Sequence, residues 1–261
     1  MSGKRGLVMG VANDHSIAWG IAKALAAEGA ELAFTFQNEA LGKRVAPLAE
    51  ELGAAERVLR CDVEELSSVD AMFSTLQATW SSLDFLVHCI GFSDRNELKG
   101  RFVDTTRENF TRTMVISAFS FAELAKRAAA MMPSGGAMLT LTFGGSTRVV
   151  PNYNVMGVAK AALEASVRYL AADFGPQNIR INAISAGPVR TLAGAGIADA
   201  RFMFNFQRSH SPLRRTVTIE NVGGAAVYLL SGLSEGVTGE IHFVDAGYNI
   251  VSMPRPEDMN G

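Results

Sequence analysis

The chain has 261 residues, 48% of them hydrophobic, which is enough to bury a large core as one domain. A net charge of −2 excludes a broad nucleic-acid surface, which needs a basic stripe against several phosphates, and no window approaches the roughly 20 apolar residues of a membrane span. Two cysteines, Cys61 and Cys89, are too few for a disulfide framework and read as small buried residues; with no room before the first strand for a signal segment, the protein is expected in the cytoplasm.

In chain order, short apolar runs rich in β-branched and aromatic residues alternate with stretches of helical period. A first strand is predicted over residues 6–11, followed by a helix over 16–28, where Ile17, Ile21 and Leu25 recur every four residues, Ser16 stands at the N-cap and Gly29 ends the run. Strands are then predicted over 31–36, 57–61, 85–90 and 137–142, a long helix over about 152–174, strands over 179–184 and 240–244, and a helix over 219–230. Seven strands separated by helical segments define a doubly wound α/β fold with one parallel sheet. The last eight residues, 254–261, read as a loose tail.

Ligands of such sheets bind beyond the carboxyl ends of the strands. Gly10, Gln37, Asp62, Gly91, Phe143 and Gly187 each fall at or just past a predicted strand end, so one crevice is expected from six loops. The turn from Gly10 to Gly20 joins a strand to a helix, and a helix N-terminus can hold a pyrophosphate where a glycine lets the backbone approach. No G-x-G-x-x-G can be drawn through it, so alone it does not separate a phosphate seat from an ordinary βα turn. Gln37 occupies the place where dinucleotide enzymes often set an acid or an arginine. A neutral amide can bond a ribose hydroxyl but cannot neutralise a 2′-phosphate, and Lys43 and Arg44 lie further along, which favours NADH over NADPH.

Tyr153 and Lys160 are separated by seven positions on the long predicted helix, about 10 Å along its axis, so they share a face. A phenol with a reference pKa of about 10 donates poorly at neutral pH unless a nearby cation lowers it, and Lys160 can supply that charge while donating to ribose hydroxyls. By spacing alone a packing tyrosine and a solvated lysine is the better reading; their position after a strand at the crevice mouth reverses the balance. Met156 stands four positions before Lys160, where many reductases with this pair place the tyrosine. This gap, with residues 10–18, 34–38, 61–63, 87–92, 151–160 and 182–193, resembles the short-chain dehydrogenase superfamily and, within it, the bacterial NADH-dependent enoyl-acyl-carrier-protein reductases.

The resemblance implies a Rossmann-like domain spanning 1–261, hydride transfer from NADH to the β-carbon of a trans-2-enoyl thioester, and Tyr153 stabilising the enolate with Lys160 beside it. It implies a cofactor site of Gly10, Ser16, Ile17, Gln37, Asp62 and Val63, continued by Ile90, Gly91, Lys160, Gly187, Val189, Thr191 and Ala193. Substrate would meet Ser93, Phe143, Tyr153, Met156 and Phe202. Phe143 departs from the family, which carries a second tyrosine there. A lid is expected over 191–210, because Gly194 and Gly196 interrupt an apolar, helix-capable stretch. Five arginines between 190 and 215 face one acid, Asp199, so an acidic acyl carrier protein is an expected partner at Arg201 and Arg208, with solvated residues and internal ion pairs the competing reading. The family implies a homotetramer. The histidines lack metal-ligand spacing. Two alternatives stay open: a carbonyl reductase of the same superfamily, and a catalytically idle nucleotide-binding sensor.

Overall fold

The computed structural model describes residues 1–189, 191 and 200–253. Seven strands form: β1 (Arg5–Met9), β2 (Glu31–Phe36), β3 (Val58–Arg60), β4 (Phe85–His88), β5 (Gly136–Thr142), β6 (Ile179–Ala186) and β7 (Ile241–Val244). All pair in parallel, in the order β3-β2-β1-β4-β5-β6-β7, as the expected doubly wound fold requires. Successive strand residues point to opposite faces, and both faces are buried: Leu7, Met9, Leu86 and Met138 join one core, Val8, Phe85, Val87 and Leu139 the other.

Helices α1 (Ile17–Ala27), α2 (Glu39–Glu51) and α8 (Ile219–Leu230) cover one face. The other carries α3 (Leu66–Thr79), α4 (Arg107–Met114), α5 (Ser120–Ala130) and α6 (Asn154–Phe174), with a π turn, Val115–Phe119, joining α4 to α5. A further α-helix among the described residues, α7 (Ala200–His210), occupies the second half of the expected lid. Residues 192–199 of that lid, the expected tail at 254–261, and Arg190 lie outside the described residues. Among the described residues no helix is long and apolar enough to cross a membrane.

Some boundaries differ from the sequence-based expectation for local reasons. β1 stops at Met9 because Gly10 takes a positive φ of 95°, leaving the extended region. β6 runs on to Ala186, paired on both sides through Thr142↔Ser185 and Ala186↔Val244. The long helix begins at Asn154 rather than about Asn152, because Asn152 has a left-handed φ of 60°, and Tyr153 becomes its N-cap. Gly20 allows α1 and α8 to cross closely: a Cβ there would stand 2.5 Å from Ile219 Cβ, and one on Gly223 would stand 2.7 Å from the Gly20 carbonyl.

Candidate active site

The strand order reverses between β1 and β4, and the loops that follow these strands line the cleft. At its first wall, Gly10 presses so closely on β4 that a Cβ would stand 2.1 Å from the Cys89 carbonyl oxygen. Ser16 sits at the N-cap of α1 as expected, but its hydroxyl makes no capping bond to the helix; it accepts from Ala12 and Asn13 N–H at 3.0 and 3.1 Å, folding the loop back. With no acid in its first turn, the N-terminus of α1 at Ile17 keeps its positive end toward the cleft, which fits an anionic pyrophosphate.

At the ends of β2 and β3, the Gln37 amide donates to Asp62 Oδ2 at 3.1 Å. Asp62 also accepts from Glu64 N–H at 3.0 Å, which shapes the turn around buried Val63. Glu64 in turn receives a two-pronged bond from Arg112 of α4, 2.8 Å on each oxygen, and Arg112 lies 4.5 Å over the Phe92 ring. Lys43 and Arg44 sit exposed along α2. A neutral amide and a carboxylate therefore stand at the ends of β2 and β3, where acceptor oxygens suit adenosine hydroxyls and a negative charge is ill suited to a further phosphate.

After β4, half-buried Ile90 leads to exposed Gly91. A Cβ at Gly91 would lie 3.8 Å from Lys160 Nζ and 3.6 Å from Met156 Cε, so this bare backbone, the lysine and the methionine meet at one point. Ser117, in the π turn, fixes the loop by accepting from Phe92 N–H at 2.9 Å and donating to the Phe92 carbonyl at 3.0 Å, with Met156 Sδ 3.7 Å away. Ser93 is buried, its hydroxyl bonded to Thr113 and Asn109 of α4, so only its main chain is left for a ligand.

Tyr153 and Lys160 are both buried, at 8% exposure each. The Tyr153 ring meets Phe143 edge-on with centroids 5.1 Å apart, and Gly145 leaves room beside it that a Cβ would take, 2.5 Å from Tyr153 Cδ1. Lys160 donates to the Leu141 carbonyl at 2.8 Å. Burial draws its amine down to about 8, opposed by Cys89 and Glu164. The tyrosine moves opposite to the expectation from sequence: instead of being lowered by the lysine, its pKa is held well above the ordinary value by burial and then by the charge of Glu164. Glu164, which sequence reasoning missed, lies buried on α6 and accepts from Thr142 Oγ1 at 2.6 Å. Its position one turn beyond Lys160 was a signal available in the helical period. Ser117 had no comparable signal, since its partner is fixed only by the packing of the π turn.

The far wall is formed after β6. Gly187 is wedged between Gln207 and Asp245, with its N–H bonded to the Val244 carbonyl at 2.8 Å. Val189 is buried against Val217 and Ala246, Thr191 is half-buried, and Ala193 lies outside the described residues. Phe202 on α7 is 69% exposed, its ring 5.9 Å from Phe206, so the structure does not bring it against Tyr153. Arg201 and Arg208 are exposed, two helical turns apart on α7; Arg208 donates to Asn205 Oδ1 at 3.4 Å and Arg215 to Asn221 Oδ1 at 2.9 Å. Of the histidines, His88 is wholly buried between Thr140 and Ser120, and burial draws it down to about 3, so it is neutral. Among the described residues no three His, Cys, Asp or Glu side chains gather as a metal site.

A doubly wound parallel sheet with an acid-free helix N-terminus after β1 and a buried tyrosine–lysine pair after β5 defines a nicotinamide-dependent oxidoreductase of the dinucleotide-binding class. Residues 10–249 match the family model described as enoyl-(acyl carrier protein) reductase, and the chain belongs to that family. It is 71% identical to the enoyl-[acyl-carrier-protein] reductase [NADH] 2 of Rhizobium meliloti, over 98% of this chain and 96% of the relative. It is 51% identical to the enoyl-[acyl-carrier-protein] reductase [NADH] FabI of Escherichia coli, over 98% of both. The crystal structure of FabI from Candidatus Liberibacter asiaticus superposes with a TM-score of 0.95 at 59% identity, covering 97% of this chain and 98% of that one. That of the Anaplasma phagocytophilum reductase in complex with NAD superposes with a TM-score of 0.94 at 56% identity, covering 98% and 97%.

Proposed function

We propose that this chain is an NADH-dependent enoyl-(acyl carrier protein) reductase in which Tyr153 and Lys160 carry the reaction. The observation that carries this reading is the buried Tyr153–Lys160 pair at the end of β5, in a chain matched almost end to end by reductases named for NADH and enoyl thioesters. Those matches favour double-bond reduction over carbonyl reduction and over an idle sensor.

Bound NADH supplies the hydride that goes to the β-carbon of a trans-2-enoyl thioester. The N-terminus of α1, with Gly10, Ser16 and Ile17, receives the pyrophosphate. Gln37, Asp62 and Val63 hold the adenosine end, where a neutral amide disfavours NADPH. Ile90, Gly91 and Lys160 face the nicotinamide ribose, and Gly187, Val189 and Thr191 form the wall behind the nicotinamide. As negative charge builds on the thioester oxygen, the Tyr153 hydroxyl donates to it. Burial keeps that phenol protonated, so it meets the developing oxyanion as a neutral hydrogen-bond donor and not as a phenolate. Met156, Phe143 and the main chain at Ser93 border the acyl group.

Arg201 and Arg208, exposed along α7, form the surface we assign to the acidic carrier protein. Phe119 and Tyr169 leave apolar surface exposed on the described chain, and the assembly we propose is a homotetramer, which light scattering would test. Two free thiols fit work in the cytoplasm. The functional assay follows loss of NADH absorbance with crotonyl and dodecenoyl thioesters beside a β-keto thioester. Oxidation with the enoyl substrates alone is expected; oxidation with the β-keto substrate alone, or with none, would overturn the reading.

A further inference from the structure

Three consecutive residues at the end of β5 each hold a different group of the α6 segment. The Leu141 carbonyl accepts from Lys160 Nζ at 2.8 Å, Thr142 Oγ1 donates to Glu164 Oε1 at 2.6 Å, and the Phe143 ring meets Tyr153 edge-on. Glu164 follows Lys160 by four residues, so both side chains leave the same face of α6 one turn apart. It is only 7% exposed. A buried carboxylate is costly unless it is hydrogen-bonded and opposed by a cation. Thr142 supplies the hydrogen bond, and Lys160 is the cation one turn away.

We infer that Glu164 is a positioning residue: held by Thr142, its carboxylate is the internal counter-charge that keeps the Lys160 amine a cation inside the cleft. The inference rests on the reading of Lys160 as the cation of the site. The other titratable groups around the amine are His88 and Cys89 from β4 and the loop after it, and Tyr153 from the start of α6. Burial draws His88 down to about 3 and pushes Cys89 up to about 12, and the Tyr153 phenol stands above its ordinary value. All three are therefore neutral near pH 7; Cys89 opposes the downward pull on the amine only as a thiolate, so near neutrality the negative charge on this side of the amine is that of Glu164. Burial draws the amine down to about 8, so without that charge it sheds its proton closer to neutrality.

The test is the pH profile of kcat/KM for NADH with crotonyl thioester in Glu164→Gln, which keeps an acceptor for Thr142. The alkaline limb is expected to move to lower pH by on the order of one unit. A limb that superimposes on the parent's overturns the inference, whatever happens to Tm. If Glu164→Gln does not accumulate folded, the Lys160 titration is read directly by carbon NMR of labelled lysine in Glu164→Asp and Thr142→Val. The aspartate variant should keep a midpoint near the parent's, and the valine variant, which frees the carboxylate, should lower it; equal midpoints in all three overturn the proposal. Lys160→Ala run in parallel separates the two levels. Full activity there sinks the role of Lys160 itself, whereas an inactive Lys160→Ala with an unmoved Glu164→Gln profile sinks only the counter-charge.

Discussion

Lys160 donates from its buried amine to the main-chain carbonyl of Leu141, so the height of that amine in the cleft is set by the last residues of β5 and not by solvent. Its charge, drawn by burial to a pKa of about 8, is present at neutral pH and is lost as pH rises through that value. NADH affinity is accordingly predicted to hold at neutral pH and to weaken above about 8. In Lys160→Ala affinity should be weak throughout, with this pH dependence gone. Fluorescence titration of NADH into both proteins across the alkaline range checks it.

Tyr153→Phe keeps the ring against Phe143 and Gly145 and removes only the hydroxyl. Turnover is predicted to fall roughly 100-fold or more, the usual cost of losing one donor to a developing oxyanion. The NADH dissociation constant should be unchanged. Stopped-flow turnover together with equilibrium binding separates the two effects.

Gln37 is bonded to Asp62 and offers no positive charge to a 2′-phosphate. Gln37→Arg is predicted to raise kcat/KM for NADPH about tenfold relative to NADH, the scale of one charge-assisted hydrogen bond. Comparing the two cofactors at fixed crotonyl thioester measures the shift.

Charge reversal at Arg201 and Arg208 together is predicted to lower the rate with an enoyl-acyl-carrier-protein substrate and to leave the rate with the coenzyme A thioester nearly unchanged. Equal losses on both substrates would instead place these arginines in the acyl pocket or in the packing of α7.

His88 is held neutral in the core with a pKa of about 3, against 6.5 for an exposed histidine. Between these values the unfolded chain binds the extra proton, so stability is full above about 6.5 and is lost as pH falls toward 3. His88→Asn should be less stable at neutral pH, having lost bonds to Thr140 and Ser120. Its acid slope should be shallower by about 1.4 kcal/mol per pH unit. Urea unfolding at a series of pH values reads both.

The sheet was legible in the sequence because strands buried on both faces appear as unbroken apolar runs, such as Phe85-Leu86-Val87. The edges were less so: the end of β1 depends on the backbone angle of Gly10, and the extension of β6 depends on pairing with two neighbours. Helix α4, Arg107–Met114, is polar along most of its length and continues into a π turn, so its period carries little signal. In the site, Tyr153 and Lys160 were readable because their spacing lies within one helix. Thr142 and Ser117 were not, since each owes its role to a partner brought near only by packing, Glu164 in one case and Phe92 in the other. The rise of the Tyr153 pKa was missed for the same reason, as burial is a property of the assembled cleft.

Gly20, in the first turn of α1, packs directly on Gly223 of α8. Because neither helix can shift without opening that seam, the N-terminus of α1, which we propose as the phosphate seat, is indexed to α8. A substitution as small as Gly223→Ala, remote from every reacting atom, is therefore a lever on coenzyme affinity, and attempts to retune that affinity have a second address besides the pocket itself.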